Sequence, residues 1–171
     1  MRTHVFASIV ALFFLVASPS ARAEAPALGT ADECLPQAYR ADLSPEWFGP
    51  NGQLRWPPGS GFATAPITIT LPPGSHIDRY GCSTGVFFSP MGTPYGARSL
   101  PYNRIAQPYT AYIVLHPLEV EAGPAEPWFG EPGGAVQYLT KDNAAKLTIE
   151  RVIAAASVNT LKRRGFKVPP E

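Results

Sequence analysis

The sequence is poor in charge, in cysteine and in long apolar runs, and each shortage closes off a class of protein. Charged residues fill only 16% of the 171 positions, and 14 Lys and Arg nearly balance 13 Asp and Glu. A nucleic-acid-binding chain carries a basic surplus gathered on one face. The one basic cluster here, Lys162-Arg163-Arg164, instead suits the last turn of a helix, where cations meet the negative end of the dipole. Two cysteines and the scattered histidines His76 and His116 offer no metal-ligand spacing. The run from Val5 to Val16, almost wholly apolar, falls short of the roughly 18 residues that a membrane-spanning helix needs.

That run follows Arg2 and His4 and gives way to Ser18-Pro19-Ser20 and Ala21-Arg22-Ala23. A weakly basic start, an apolar stretch and small residues before a cut describe a cleavable secretory signal, residues 1–23, in preference to a membrane anchor. Taking 23 from 171 leaves 148 residues, the size of one domain with one core. The product is expected to work outside the cytoplasm, extracellular or periplasmic, with no membrane attachment after cleavage. An even cysteine count in an exported chain favours one disulfide, Cys34 to Cys82, over two unpaired buried thiols.

What the sequence has in quantity is 20 prolines and 15 glycines. They punctuate it so often that only short elements fit between them. Ile67 to Leu71 alternates like a half-buried strand, Leu71-Pro72-Pro73-Gly74 turns the chain, and Ile77 to Tyr80 and Gly85 to Ser89 read as further strands. Tyr109 to Leu115 is apolar on both faces and suits a central strand, whereas Leu118 to Ala122 alternates with two glutamates. Residues 24–54 form an N-terminal extension before a domain over 55–168, and the aromatic-rich stretch 35–62 packs irregularly on the core. A helical stripe, Ile149, Val152, Ile153 and Ala156, is capped by Asp142 or Asn143, with Gly165 ending it or a continuation from Ser157. The class is α+β, a mainly antiparallel sheet of short strands and long loops with helix at the C-terminal end.

Four places could carry chemistry. Asp78-Arg79 puts charge inside a strand, where an arginine fork can hold an anion or form a surface pair with its neighbour. Phe87 and Phe88 must face opposite sides of a strand, so one can be core while the other lines a cleft. Arg98 precedes Ser99-Leu100-Pro101 in a turn. Finally, Trp128-Phe129-Gly130-Glu131-Pro132-Gly133-Gly134 leads to Gln137, either as an ordinary hairpin turn or as a glycine loop that lets backbone approach a ligand.

Six segments in order resemble the tuberculosis necrotizing toxin family of secreted NAD+ glycohydrolases. They are Arg55-Trp56-Pro57-Pro58 with Gly61-Phe62; Leu71-Pro72-Pro73-Gly74 with Ile77 to Gly81; Gly85 to Pro90 with Gly92 to Tyr95; Arg98 to Pro101; Tyr109 to Val120; and Trp128 to Tyr138. The closing Ser157 to Phe166 is similar too. The resemblance implies that Arg79 and Arg98 bind the dinucleotide phosphates, that Phe87 or Phe88 contacts the nicotinamide end, and that Gln137 is the catalytic glutamine. It also implies NAD+ or NADP+ as substrate, no cofactor, and an immunity protein as partner. Glu131 and Ala135 depart from the family pattern, and Glu131 would set a negative charge near an anionic substrate. Competing readings are an ADP-ribosyltransferase using Glu119 and Glu121, and a binding module without catalysis.

Overall fold

The computed structural model describes residues 38–168. The signal over 1–23, Cys34 and the first part of the 24–54 extension lie outside the described residues. The five strands read from the sequence form, together with two more: β1 (Ile67–Leu71), β2 (His76–Tyr80), β3 (Phe87–Pro90), β4 (Tyr109–Val114), β5 (Leu118–Pro124), β6 (Val136–Leu139) and β7 (Ile153–Ala156). They make one antiparallel sheet in the order β1-β5-β6-β3-β2-β4-β7. The expected α+β class is thus observed. β4 is paired on both sides, but the middle of the sheet is β3.

Alternation decides which faces are buried. In β5, Leu118, Val120 and Ala122 point inward while Glu119 and Glu121 face solvent, as a period of two requires. Those apolar residues join Leu71, Ile77, Phe88, Tyr112, Val114 and Ile153 in the main core, closed by Ala144 and Leu147 of helix α1 (Ala144–Ile149). Burying a side chain such as Phe88, 2% exposed, stabilises the fold by roughly 1.5–3 kcal/mol.

The single helical stripe is not formed. α1 begins where Asn143 accepts from Lys146 N and stops at Glu150. Arg151 then takes φ 57°, and Ile153–Ala156 becomes β7, pairing with Ala111–Val114 of β4. The physical reason is that β4 would otherwise leave a row of backbone N–H and C=O groups unpaired beside the core. Ile153 is fully buried in this arrangement, while Ile149, expected on the same stripe, is 72% exposed. Helix α2 (Val158–Arg163) follows, with Ser157 accepting from Thr160 N. It ends with Gly165 at φ 82°, Gly165 N bonded to Lys162 O and Phe166 N to Leu161 O, the paired closure that a left-handed glycine permits.

Residues 38–62 pack as an irregular band over the β5–β6 connection. Trp47 lies 5.3 Å from Trp128 and 5.6 Å from Phe129, and Trp56 meets Phe129 edge-on at 5.4 Å. Arg40 reaches into the connection, donating to Phe129 O and pairing with Glu131. Gly133 has φ +60°, and a Cβ there would stand 2.7 Å from Pro127 N. The connection is therefore a tightly folded hairpin loop that depends on that glycine.

Candidate active site

The sheet divides around β3. Ser89 and Pro90 ladder with β2, through Asp78 and Ile77, whereas Phe87 and Phe88 ladder with β6, through Leu139 and Tyr138. Continuing either register would set Arg79 opposite Phe88 and Gln137 opposite Ser89, but those pairs are not laddered. The strands part there, and a cavity of about 450 Å³ opens between them. Its wall includes Trp56, Ser60, Arg79, Phe87, Arg98 and Gln137. The side chains singled out in the sequence therefore converge on one cleft.

Arg79 projects into the gap and donates from Nη1 to Phe87 O at 3.2 Å, a carbonyl on the parted stretch of β3. Its guanidinium carbon lies 5.5 Å from the Phe88 ring centroid. The residue is 7% exposed, its Nε has no partner, and no carboxylate pairs with it among the described residues. Burial lowers its pKa to about 10, so it remains a cation at neutral pH. A buried cation without a counterion is costly and becomes favourable when an anion occupies the cleft. Gly85 makes the space: a Cβ there would collide with the guanidinium.

Asp78 does not form a surface pair with Arg79. Successive residues of a strand face opposite sides, and both are buried. Asp78 instead meets Arg98, Nη2 to Oδ1 at 2.5 Å, and accepts from Gly92 N and Tyr109 Oη at 2.9 Å each. Burial pushes the Asp78 carboxyl above its ordinary 3.8, against the opposing pull of Arg98. Arg98 also donates from Nε and Nη2 to Thr93 O and lies 5.1 Å from the Tyr80 ring centroid. Its charge is thus matched inside the protein, although the residue borders the cavity.

Phe88 belongs to the core, packing edge-on against Tyr112 at 5.7 Å, and Phe87, 41% exposed, is the accessible ring. Gln137 donates from Nε2 to Ser60 O at 3.1 Å. That bond fixes the amide and leaves Oε1 to accept from whatever enters. Ser60 holds φ 57°, a conformation uncommon outside glycine and typical of places where structure is specified for function. The same turn receives Glu126 N on Gly61 O, which brings Glu126, the one carboxylate on the cavity wall, to the Gln137 end.

Sequence reasoning missed Glu126, Tyr80 and Gln107, all on the wall. The signal available for Glu126 was its place at the end of an alternating strand just before the glycine loop. Conversely, Glu131 is absent from the wall and paired with Arg40, so its charge is compensated outside the cleft. Glu119 and Glu121 border a separate open depression with Thr68 and Lys141. Among the described residues no free cysteine occurs, no helix is long and apolar enough to cross a membrane, and no three metal-binding side chains gather.

The split antiparallel sheet of this α+β protein brings an unneutralised arginine, an exposed ring and a fixed amide to one cleft. The sequence matches the family described as Tuberculosis necrotizing toxin (TNT) over residues 70–163, more than half of the chain, and the chain belongs to that family. The resemblance read from the six ordered segments is thereby confirmed. The chain is 39% identical over 123 residues to the conidial surface nicotinamide adenine dinucleotide glycohydrolase of Aspergillus fumigatus. That match covers 63% of this chain and 53% of that protein, so the chain spans about half the length of this curated relative. Among solved structures it is similar to tuberculosis necrotizing toxin complexed with its immunity factor, at 25% identity and a TM-score of 0.51, over 63% of this chain and 65% of that one.

Proposed function

We propose that the protein is a secreted NAD+ glycohydrolase that releases nicotinamide and ADP-ribose. The observation that carries this reading is the buried, counterion-free Arg79 on the same 450 Å³ cavity as the exposed Phe87 ring and the tethered Gln137 amide. The substrate diphosphate neutralises Arg79, a charge-assisted contact worth about 1.5–3 kcal/mol. Phe87 offers its face to the nicotinamide ring.

The chemistry fits this residue set. Nicotinamide departs from C1′ as the bond's electron pair moves onto the pyridinium nitrogen, so it leaves neutral and requires no general acid, unlike the leaving oxygen of an ordinary glycoside. Water adds to the oxocarbenium-like C1′ and gives up a proton, for which Glu126 is the nearby acceptor. Gln137 Oε1 orients the ribose hydroxyl or the water. NAD+ is the substrate and no cofactor is needed; NADP+ is a second substrate. We assign Cys34 and Cys82 to a disulfide, consistent with an exported chain. A cognate immunity protein is the partner, by analogy with the toxin solved in complex with its immunity factor.

The test is hydrolysis of a fluorescent NAD+ analogue, with labelled ADP-ribose followed to the free or protein-attached pool. Free ADP-ribose is expected. No turnover at micromolar enzyme would favour a binding module, and attached label a transferase.

Two substitutions probe the anion site. Arg79→Ala should raise KM for NAD+ by about tenfold or more, following the contact energy above, with kcat much less affected. Gly85→Ala should act similarly, because its new Cβ displaces the guanidinium. Since the displaced atoms end a flexible side chain, thermal stability should fall little, and a large Tm loss would contradict the assignment.

A further inference from the structure

The two edges of the sheet are built differently. At one, β7 is four residues long, three of them alanine, and runs directly into α2, which begins at Val158. At the other, β1 is five residues long and, among the described residues, ladders only with β5. Edge strands are ordinarily blunted by charge, a bulge, an internal proline or a covering element, because their free N–H and C=O groups template pairing with another chain. Ile67-Thr68-Ile69-Thr70-Leu71 carries no charge and no proline, and its register with Ala122 to Leu118 is unbroken. Four of its five residues are β-branched, a type that pairs well in sheets.

Burial along β1 shows where its apolar row is unfinished. Ile67, Ile69 and Leu71 share the face that packs on the core, opposite Ala122, Val120 and Leu118. Leu71 is 7% exposed and Ile69 packs against the core, yet Ile67, in the same row, is 66% exposed. The other face carries Thr68 and Thr70, both exposed. By side-chain class the strand has the same order in both directions. An antiparallel copy centred on Ile69 therefore sets Ile67 against Leu71, Thr68 against Thr70 and Ile69 against Ile69. Apolar meets apolar on one face and hydroxyl meets hydroxyl on the other, the cross-strand pairs that stabilise a ladder. Pro66 and Pro72-Pro73 bracket the strand, which confines the ladder to these five residues and fixes its centre.

We propose that two copies of the chain pair through β1 about a two-fold axis at Ile69, joining their sheets into one. Such an isologous contact uses the same patch on both copies and closes on itself, so no β1 edge is left for a third chain. The exposed carboxylates do not oppose it. Glu119 and Glu121 lie one strand in from the seam, which puts them three strand spacings, about 14 Å, from the partner's pair, beyond the screening length of about 8 Å at physiological salt. The pairing is independent of the glycohydrolase reading, since no residue of β1 borders the large cavity.

The test is sedimentation velocity on the full chain over a concentration series reaching about 100 μM. A monomer should give way to a dimer, with a dissociation constant of micromolar order for so short an interface. Ile67→Asp should raise that constant by about tenfold or more, because a carboxylate replaces the apolar contact with the partner's Leu71. Its Tm at low concentration should change little, since Ile67 is exposed in the single chain. Cysteine cross-linking reads the register. Thr68 and the partner's Thr70 are directly opposite, with Cα atoms about 4.5–5.5 Å apart, within reach of a disulfide. Thr68 and the partner's Thr68 are about 8 Å apart, outside that reach. Thr68→Cys mixed with Thr70→Cys should cross-link under mild oxidation, and neither variant should do so alone. The proposal is overturned by a chain that stays monomeric throughout, which would leave the edge to a foreign strand, by a dimer indifferent to Ile67→Asp, or by Thr68→Cys cross-linking to itself.

Discussion

Gln137→Ala is expected to lower kcat for NAD+ hydrolysis by about a hundredfold or more while leaving a folded protein, the scale seen when one preorganised transition-state hydrogen bond is removed. The side chain is only half-buried and makes one hydrogen bond, to Ser60 O, so the sheet loses little. β6 keeps its backbone pairing, with Gly123 opposite Gln137 and Ala122 opposite Tyr138. Steady-state kinetics and a melting curve on the same preparation check both halves. Near-normal hydrolysis would remove Gln137 from the mechanism.

Asp78→Ala is expected to destabilise the fold by about 3–5 kcal/mol, the usual cost of stranding one member of a buried ion pair. Asp78 is fully buried and carries Arg98, Gly92 N and Tyr109 Oη together. For a domain of this size each kcal/mol moves Tm by about 2–4 °C, so calorimetry should record a fall of about 6–20 °C. Combining Asp78→Leu with Arg98→Met should recover most of that loss, because burial already opposes ionisation of Asp78 and a well-packed apolar pair avoids the desolvation of two charges. If the double variant is as unstable as the single one, the pair acts through its hydrogen bonds to Gly92 and Tyr109.

Local periodicity made much of the sheet legible. Ile67 to Leu71 and Leu118 to Ala122 alternate, and they pair in register from Ile67–Ala122 to Leu71–Leu118. The stripe through Ile149 to Ala156 misled because Ile153 has to be buried under either a helical or an extended path. Only the unpaired edge of β4, a tertiary fact, decides for the strand. Arg79, Phe87, Arg98 and Gln137 were legible as cavity residues through ordered motifs. The partnership of Asp78 with Arg98, twenty positions away, was not, since nothing local distinguishes a compensated guanidinium from one waiting for a ligand. Gln107 was equally hidden, an ordinary polar residue after a short turn until its burial is known.

The band before β1 has a practical consequence for anyone trimming the gene. Trp56 and Ser60 furnish one side of the cleft, and the Arg40 tether reaches the loop that leads to Gln137. The family match starts only at residue 70. A fragment cut to that limit would keep Arg79 but lose the carbonyl that aims the glutamine amide, so the working unit extends at least 30 residues upstream of the recognisable one.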